Sequence, residues 1–283
     1  MADVKMEASI IFDSHVPTAL RRALDYAGEN GFVASMPQLL RARANASYDN
    51  IIWNTWFTSN SEESVVTTAQ GLRVVVAVHG GGIYASPERF EKTYRASVNR
   101  SNSEGFTGQY AGKISAQEAS DVLQGKLPDG TEIPIYSFDE FKRGVSNLPL
   151  RYGVVLDLER ARKSTRGYDP FEVLKDEPNM IVRAGGVEPL AAYLDKARDR
   201  HNTKIMGNWH PYNRIDLDQP QCRIPFLAGN EGGMCTEDDD DDDYGYDAEY
   251  GMGGDACIHN MARYVAVAPR DPSISLRNLD FGE

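Results

Sequence analysis

Apolar and polar positions along this chain follow two periods, and each change of period marks an element. From Pro17 to Ala27 the run Thr18-Ala19-Leu20-Arg21-Arg22-Ala23-Leu24 has the three-to-four spacing of an amphipathic helix, closing at Gly28 or at Asn30-Gly31. Ser35 to Arg43 predicts a second short helix with Leu39 and Leu40 inward. Ile51 to Phe57, aromatic and β-rich, predicts a strand, followed by polar Thr58-Ser59-Asn60-Ser61. Val74-Val75-Val76-Ala77-Val78 is too short for a buried helix and is mostly β-branched, so it predicts a fully buried strand. His79-Gly80-Gly81-Gly82 follows it, Ser86-Pro87-Glu88 then opens a helix to about Val98, and polar Asn99 to Gly112 predicts an exposed loop.

Further along, the punctuation is explicit. Ser115-Ala116-Gln117-Glu118 is a capping box, in which serine and glutamate side chains take each other's orphan backbone N–H groups; the helix stops at Gly125. Pro128-Asp129-Gly130 is a turn, and Thr131 to Tyr136 a strand that Pro134 assigns to a sheet edge. Ser137-Phe138-Asp139-Glu140 opens another helix, ending near Gly144, and Tyr152 to Leu158 is a second buried strand. Asp169-Pro170 begins a short helix. Met180 to Ala184 predicts a strand, followed by Gly185-Gly186 and a helix to about Arg200, an echo of the earlier strand–glycine–helix unit. The final strand is Ala262 to Ala268.

Alternation of helix and strand predicts an α/β or α+β fold: one domain over 1–283 with a mixed sheet flanked by helices. A Gly/Asp/Tyr-rich acidic stretch, 229–254, is expected to be a flexible insertion. A hydrophobic fraction of 41% over 283 residues suits a folded chain, and the net charge of −12, concentrated partly in Glu237 and Asp238–Asp243, leaves no basic stripe for nucleic acid. No apolar run is long enough to span a membrane, and Met1 to Glu7 lacks the pattern of a signal peptide. With only Cys222, Cys235 and Cys257, widely spaced, neither a disulfide framework nor a zinc site is expected. The expectation is a soluble cytoplasmic protein.

The strongest candidate for chemistry is the loop Gly80-Gly81-Gly82. Bare backbone N–H groups beside a helix start suit a phosphate, a carboxylate or a developing oxyanion. In this reading Ser86 and the following N–H groups hold the anion, His79 is hydrogen-bond donor or acid/base, and Tyr84 supplies a stacking face. The plainer reading is a tight turn that needs residues without Cβ. A second cluster, Asn208-Trp209-His210-Pro211-Tyr212-Asn213-Arg214-Ile215-Asp216-Leu217-Asp218, is polar, aromatic and non-periodic. There His210 is a candidate catalytic group, Arg214 a ligand-binding one, and Asp216 and Asp218 candidate ligands of a divalent cation. Asp157 and Glu159, placed on one strand face, form a candidate carboxylate pair, or else pair with Arg160 or Arg162.

His79-Gly80-Gly81-Gly82 after a strand resembles the oxyanion-hole segment of lipase and esterase α/β-hydrolases, although no Gly-x-Ser-x-Gly elbow follows it. Gly82-Ile83-Tyr84-Ala85-Ser86 with Tyr94 resembles the segment of ADP-ribosyltransferases in which two tyrosines sandwich nicotinamide. That resemblance implies NAD as cofactor and Glu159 as catalytic acid; the alternative is that both tyrosines simply pack. The aspartate run fails the EF-hand pattern, since Gly251 stands where a bidentate Glu is required. Two function classes follow: a small-molecule site at the glycine loop, or a non-catalytic protein whose acidic loop meets a basic partner or cations.

Overall fold

The computed structural model describes residues 6–98, 111–164, 167–201, 205–209, 212, 219–229, 252–253 and 261–269. The first unit is β1 (Met6–Asp13), α1 (Val16–Ala27) and β2 (Phe32–Val33). Helix α1 buries Val16, Ala19, Leu20 and Ala23, the stripe its spacing predicts, and stops at Gly28, whose φ of 60° needs a residue without Cβ. Helix α2 (Met36–Asn45) starts at Ser35 with a capping box to Gln38 and turns Leu39 and Leu40 inward. Next come α3 (Ile51–Asn54), β3 (Phe57–Thr58), β4 (Ser61–Thr67) and β5 (Arg73–His79). A single-turn 3-10 helix (Ile83–Ala85) leads into α4 (Pro87–Val98).

Beyond these lie β6 (Gly112–Lys113), α5 (Ala116–Leu123), β7 (Ile135–Ser137), α6 (Phe138–Lys142), β8 (Tyr152–Asp157) and α7 (Leu158–Lys163). Both predicted serine caps are present: Ser115 Oγ accepts the Glu118 N–H at 3.1 Å, and Ser137 Oγ accepts the Glu140 N–H at 3.3 Å. The remainder is β9 (Gly167–Pro170), α8 (Phe171–Leu174), α9 (Pro178–Ala184), α10 (Val187–His201), β10 (Ile205–Trp209), β11 (Gln221–Arg223), β12 (Phe226–Leu227), β13 (Met252–Gly253) and β14 (Ala262–Pro269).

Three sheets result. The largest runs β6-β11-β4-β5-β8-β7, antiparallel except between β7 and β8, with β7 at the edge that Pro134 indicates. The others are β3-β12-β13-β10-β9 and β1-β14-β2, the latter joining the first and last described strands. The architecture is a mixed sheet flanked by helices, of the α+β kind. Because side chains alternate across a strand, the six-stranded sheet separates two cores. Val65, Val75, Ala77, Val154 and Leu156 face α2, α9 and α10, whereas Val66, Val74, Val76 and Val78 face α1, α4 and α5.

Four expectations are corrected here. Residues 51–57 are not a strand: Asn50 accepts the Ile52 N–H and starts α3, leaving only Phe57–Thr58 extended. Residues 180–184 are helical, because Pro178 opens α9 and Gly185 closes it at φ 86°. The echo of the first glycine unit is therefore a helix–Gly–Gly–helix corner. Asp157 and Glu159 do not share a strand face, since Asp157 is the N-cap of α7 and accepts the Arg160 N–H, which puts Glu159 in the first helical turn. The predicted strand 131–136 shrinks to Ile135–Ser137 plus one bridge, Lys126 to Glu132. The loop expected at 99–112 lies mostly outside the described residues, as do the acidic run Asp238–Asp243, Cys235 and Cys257.

Candidate functional site

Strand β4 carries two consecutive glutamates, both buried, at 3% and 4% exposure. Adjacent strand positions face opposite ways, so Glu62 enters one core and Glu63 the other. An ionised carboxylate in an apolar interior is costly unless every oxygen is engaged. The two sides meet that requirement by different means.

Glu62 lies opposite Val78 and reaches the end of β5, where the three glycines begin. Its Oε2 accepts the Ile83 N–H at 2.6 Å and its Oε1 accepts the Tyr84 N–H at 2.6 Å; the Gly82 N–H also bonds to it. The Cys222 thiol donates to Oε2 at 3.3 Å. Each glycine has its own reason to be there. Gly80 and Gly81 take φ of 84° and 100°, and their N–H groups both donate to the Asn60 carbonyl. Gly82 has an ordinary φ of −122°, but a Cβ on it would stand 2.5 Å from Glu62 Oε2. The Gly82 N–H and the two amides after it thus hold a carboxylate, and that carboxylate is the protein's own. Burial nevertheless pushes Glu62 above the usual carboxylate range, against the thiol and backbone hydrogen bonds. Burial and the neighbouring Glu62 likewise push the Cys222 thiol well up, so it stays protonated as a donor.

On the other face Glu63 receives Arg183 from α9 in a two-pronged ion pair, Nε to Oε1 at 2.6 Å and Nη2 to Oε2 at 2.9 Å. The Tyr212 hydroxyl donates to the same Oε2, and Arg183 Nη1 also reaches Asn208 Oδ1 at 3.3 Å and the Met252 carbonyl at 3.4 Å. Burial alone would raise Glu63, but the charge and hydrogen bonds of Arg183 and the Tyr212 bond hold it below its ordinary value. Arg183 thereby ties β4, β10 and β13 together.

His79 shares this face with Glu63 and is 1% exposed. Its Nε2 lies 3.0 Å from the Val182 carbonyl, which can only accept, so Nε2 carries the proton. Nδ1 then accepts from Ser61 Oγ at 2.9 Å, while Ser61 Oγ accepts the Met36 N–H at 2.9 Å. Burial lowers its pKa to about 4, against the Val182 bond and the charge of Glu63, and the ring is neutral near pH 7. The His79 ring lies on the Glu63 face of the sheet, away from the Glu62 side of the glycine loop, and both its nitrogens are engaged.

The remaining predicted residues are dispersed. Tyr84 is buried, stacked on Phe90 at 5.2 Å with the Arg89 guanidinium 5.6 Å from its ring centre. Tyr94 instead meets His15 edge-on at 4.6 Å, so the two tyrosines have separate partners. Ser86 Oγ accepts the Arg89 N–H at the start of α4. Glu159 is exposed and pairs with Arg162 at 2.7 Å, the plainer alternative for it. His210, Arg214, Asp216 and Asp218 lie outside the described residues. Sequence reasoning missed Glu62, Glu63 and Arg183 altogether. The one available signal was an acidic pair set directly before Ser64-Val65-Val66 and opposite a continuous apolar strand.

No family model matches the chain, and no curated protein does. A solved structure described as the accommodation of massive sequence variation in Nanoarchaeota by the C-type lectin fold is similar over 93% of this chain and 98% of its own, with a TM-score of 0.65 and 23% identity. What the two chains share is the C-type lectin fold, an α+β architecture consistent with the sheets described above.

Proposed function

We propose that this chain is a non-catalytic binding protein, in which the C-type lectin fold is a rigid support for contact residues carried on its connecting segments. The observation that carries this reading is Glu62 seated on the donors of Gly82, Ile83 and Tyr84, which the protein's own carboxylate thereby takes up. His79 and Glu63, two further buried ionisable groups nearby, are likewise engaged by internal partners. The related structure concerns a fold that accommodates extensive sequence variation, which favours a support over a specialised pocket.

The contact residues in this proposal include His210, Arg214, Asp216 and Asp218, between β10 and β11, and the acidic run Asp238–Asp243, between β12 and β13. Aromatic and amide side chains in the first segment and carboxylates in the second suit a polar or basic protein partner. The anchoring of Asn208, Tyr212 and Met252 by the Arg183 network favours these segments as contact bearers, because it fixes chain positions beside them. No helix among the described residues is long and apolar enough to cross a membrane.

The test is turnover of NAD and of a short p-nitrophenyl ester by the full chain, beside His79→Gln and Glu62→Gln variants. The expected result is no rate above that of an unrelated folded protein. Turnover that is lost in either variant while its thermal melt stays cooperative would overturn the proposal in favour of the transferase or esterase reading.

A further inference from the structure

Among the described residues, strand β1 lies at the edge of the β1-β14-β2 sheet and pairs on one side only, with β14, over all eight of its residues from Met6↔Pro269 to Asp13↔Ala262. Its outward side chains are Met6, Ala8, Ile10 and Phe12, with Met6, Ile10 and Phe12 exposed at 45%, 38% and 47%. The direction of the backbone groups follows from three contacts. The Arg263 N–H donates to Thr58 Oγ1 and the Val265 carbonyl accepts from Ala34, so odd residues of β14 turn away from β1. Their partners across the ladder, the even residues of β1, therefore present N–H and C=O to the open edge. Arg22 Nη1 reaching the Phe12 carbonyl at 3.3 Å agrees with this.

An edge of this kind templates another strand unless it is guarded. Between Met6 and Phe12 there is no lysine, arginine or proline, and the one charge is Glu7. We propose that the partner is a second copy of this chain, docked β1 against β1 in antiparallel fashion about a twofold axis. Two observations select that partner. The chain carries a net charge of −12, so copies repel over most of their surface, whereas the stripe of Met6, Ala8, Ile10 and Phe12 brings no carboxylate to the contact. The stripe is also self-complementary. A twofold axis normal to the sheet keeps outward residues opposite outward ones, and centring it on Ser9 sets Ala8 against Ile10 and Met6 against Phe12, with Glu7 facing Ile11. Centring it on Ile10 would oppose Glu7 and Asp13, two like charges. In the Ser9 register the open N–H and C=O groups of Ala8 and Ile10 pair with those of the partner copy, joining two three-stranded sheets into one of six.

The experiment is light scattering on the eluting full chain at micromolar concentration, beside Ile10→Lys and Ala8→Lys, each checked by its melting temperature. Both substitutions replace exposed side chains, so at least one is expected to melt like the parent. The expected result is twice the monomer mass for the parent and the monomer mass for the lysine variants. A monomeric parent overturns the proposal, as does a dimer that survives both substitutions. A dimer that forms only in a chain shortened to Pro269 also overturns it, and identifies residues 270–283 as the occupant of the edge.

Discussion

Two adjacent glutamates and a histidine show how a single side chain's surroundings settle its chemistry. His79 has a folded-state pKa of about 4 against an ordinary 6.5, depressed chiefly by burial. A depressed value means the unfolded chain takes the proton first, so the stability contributed by neutral His79 is whole above pH 6.5 and is lost as pH falls toward 4. At 1.36 kcal/mol per pH unit that loss amounts to about 3 kcal/mol. Urea melts of the parent at pH 7 and pH 4.5 are expected to show it, and His79→Gln is expected to flatten that part of the profile. An unchanged slope in the variant would mean that the acid loss arises elsewhere. Glu63 adds to the same acid limb, since its value is lowered, whereas Glu62, whose value is raised, is less well tolerated as pH rises through it.

At the scale of the element, the unit β5–Gly80-Gly81-Gly82–α4 was legible in the sequence as a strand, a donor-rich turn and a helix start. Its occupant was not, because Glu62 belongs to β4, and pairing between strands cannot be read from one chain's periodicity. Strand β4 itself was missed: Ser-Glu-Glu-Ser looks solvated until both neighbours of the strand are known. The run Met180 to Ala184 failed for another reason, since a short apolar stretch is compatible with strand or helix and Pro178 decided it. Caps at Ser115 and Ser137 and the end at Gly28 were readable because they depend on local donors and φ alone. The glycine unit makes a specific prediction. Gly82→Ala sets a Cβ against Glu62, and a cost of about 1–3 kcal/mol is expected in urea melts. In a Glu62→Ala background that cost should be smaller; equal costs in both backgrounds would show that the carboxylate is not what Gly82 accommodates.

For the whole molecule, the six-stranded sheet with a core on either side holds both buried glutamates, and the β1–β14 ladder joins the first and last described strands. The C-type lectin fold was not visible in the sequence, since pairing between strands as far apart in the chain as β1 and β14 leaves no local pattern. The charge balance and helix–strand alternation were enough only for the fold class. On the proposal made above, the Glu62 contacts at the glycine loop serve the scaffold, and recognition is left to the segments between β10 and β11 and between β12 and β13. Backbone amide hydrogen exchange at Ile83 and Tyr84, followed by NMR on the full chain with and without added phosphate, tests that most directly. The account predicts amides that exchange slowly in the parent, lose protection in Glu62→Ala, and do not shift with phosphate. Saturable phosphate shifts at those amides in the parent, or protection that survives loss of the Glu62 carboxylate, would contradict it.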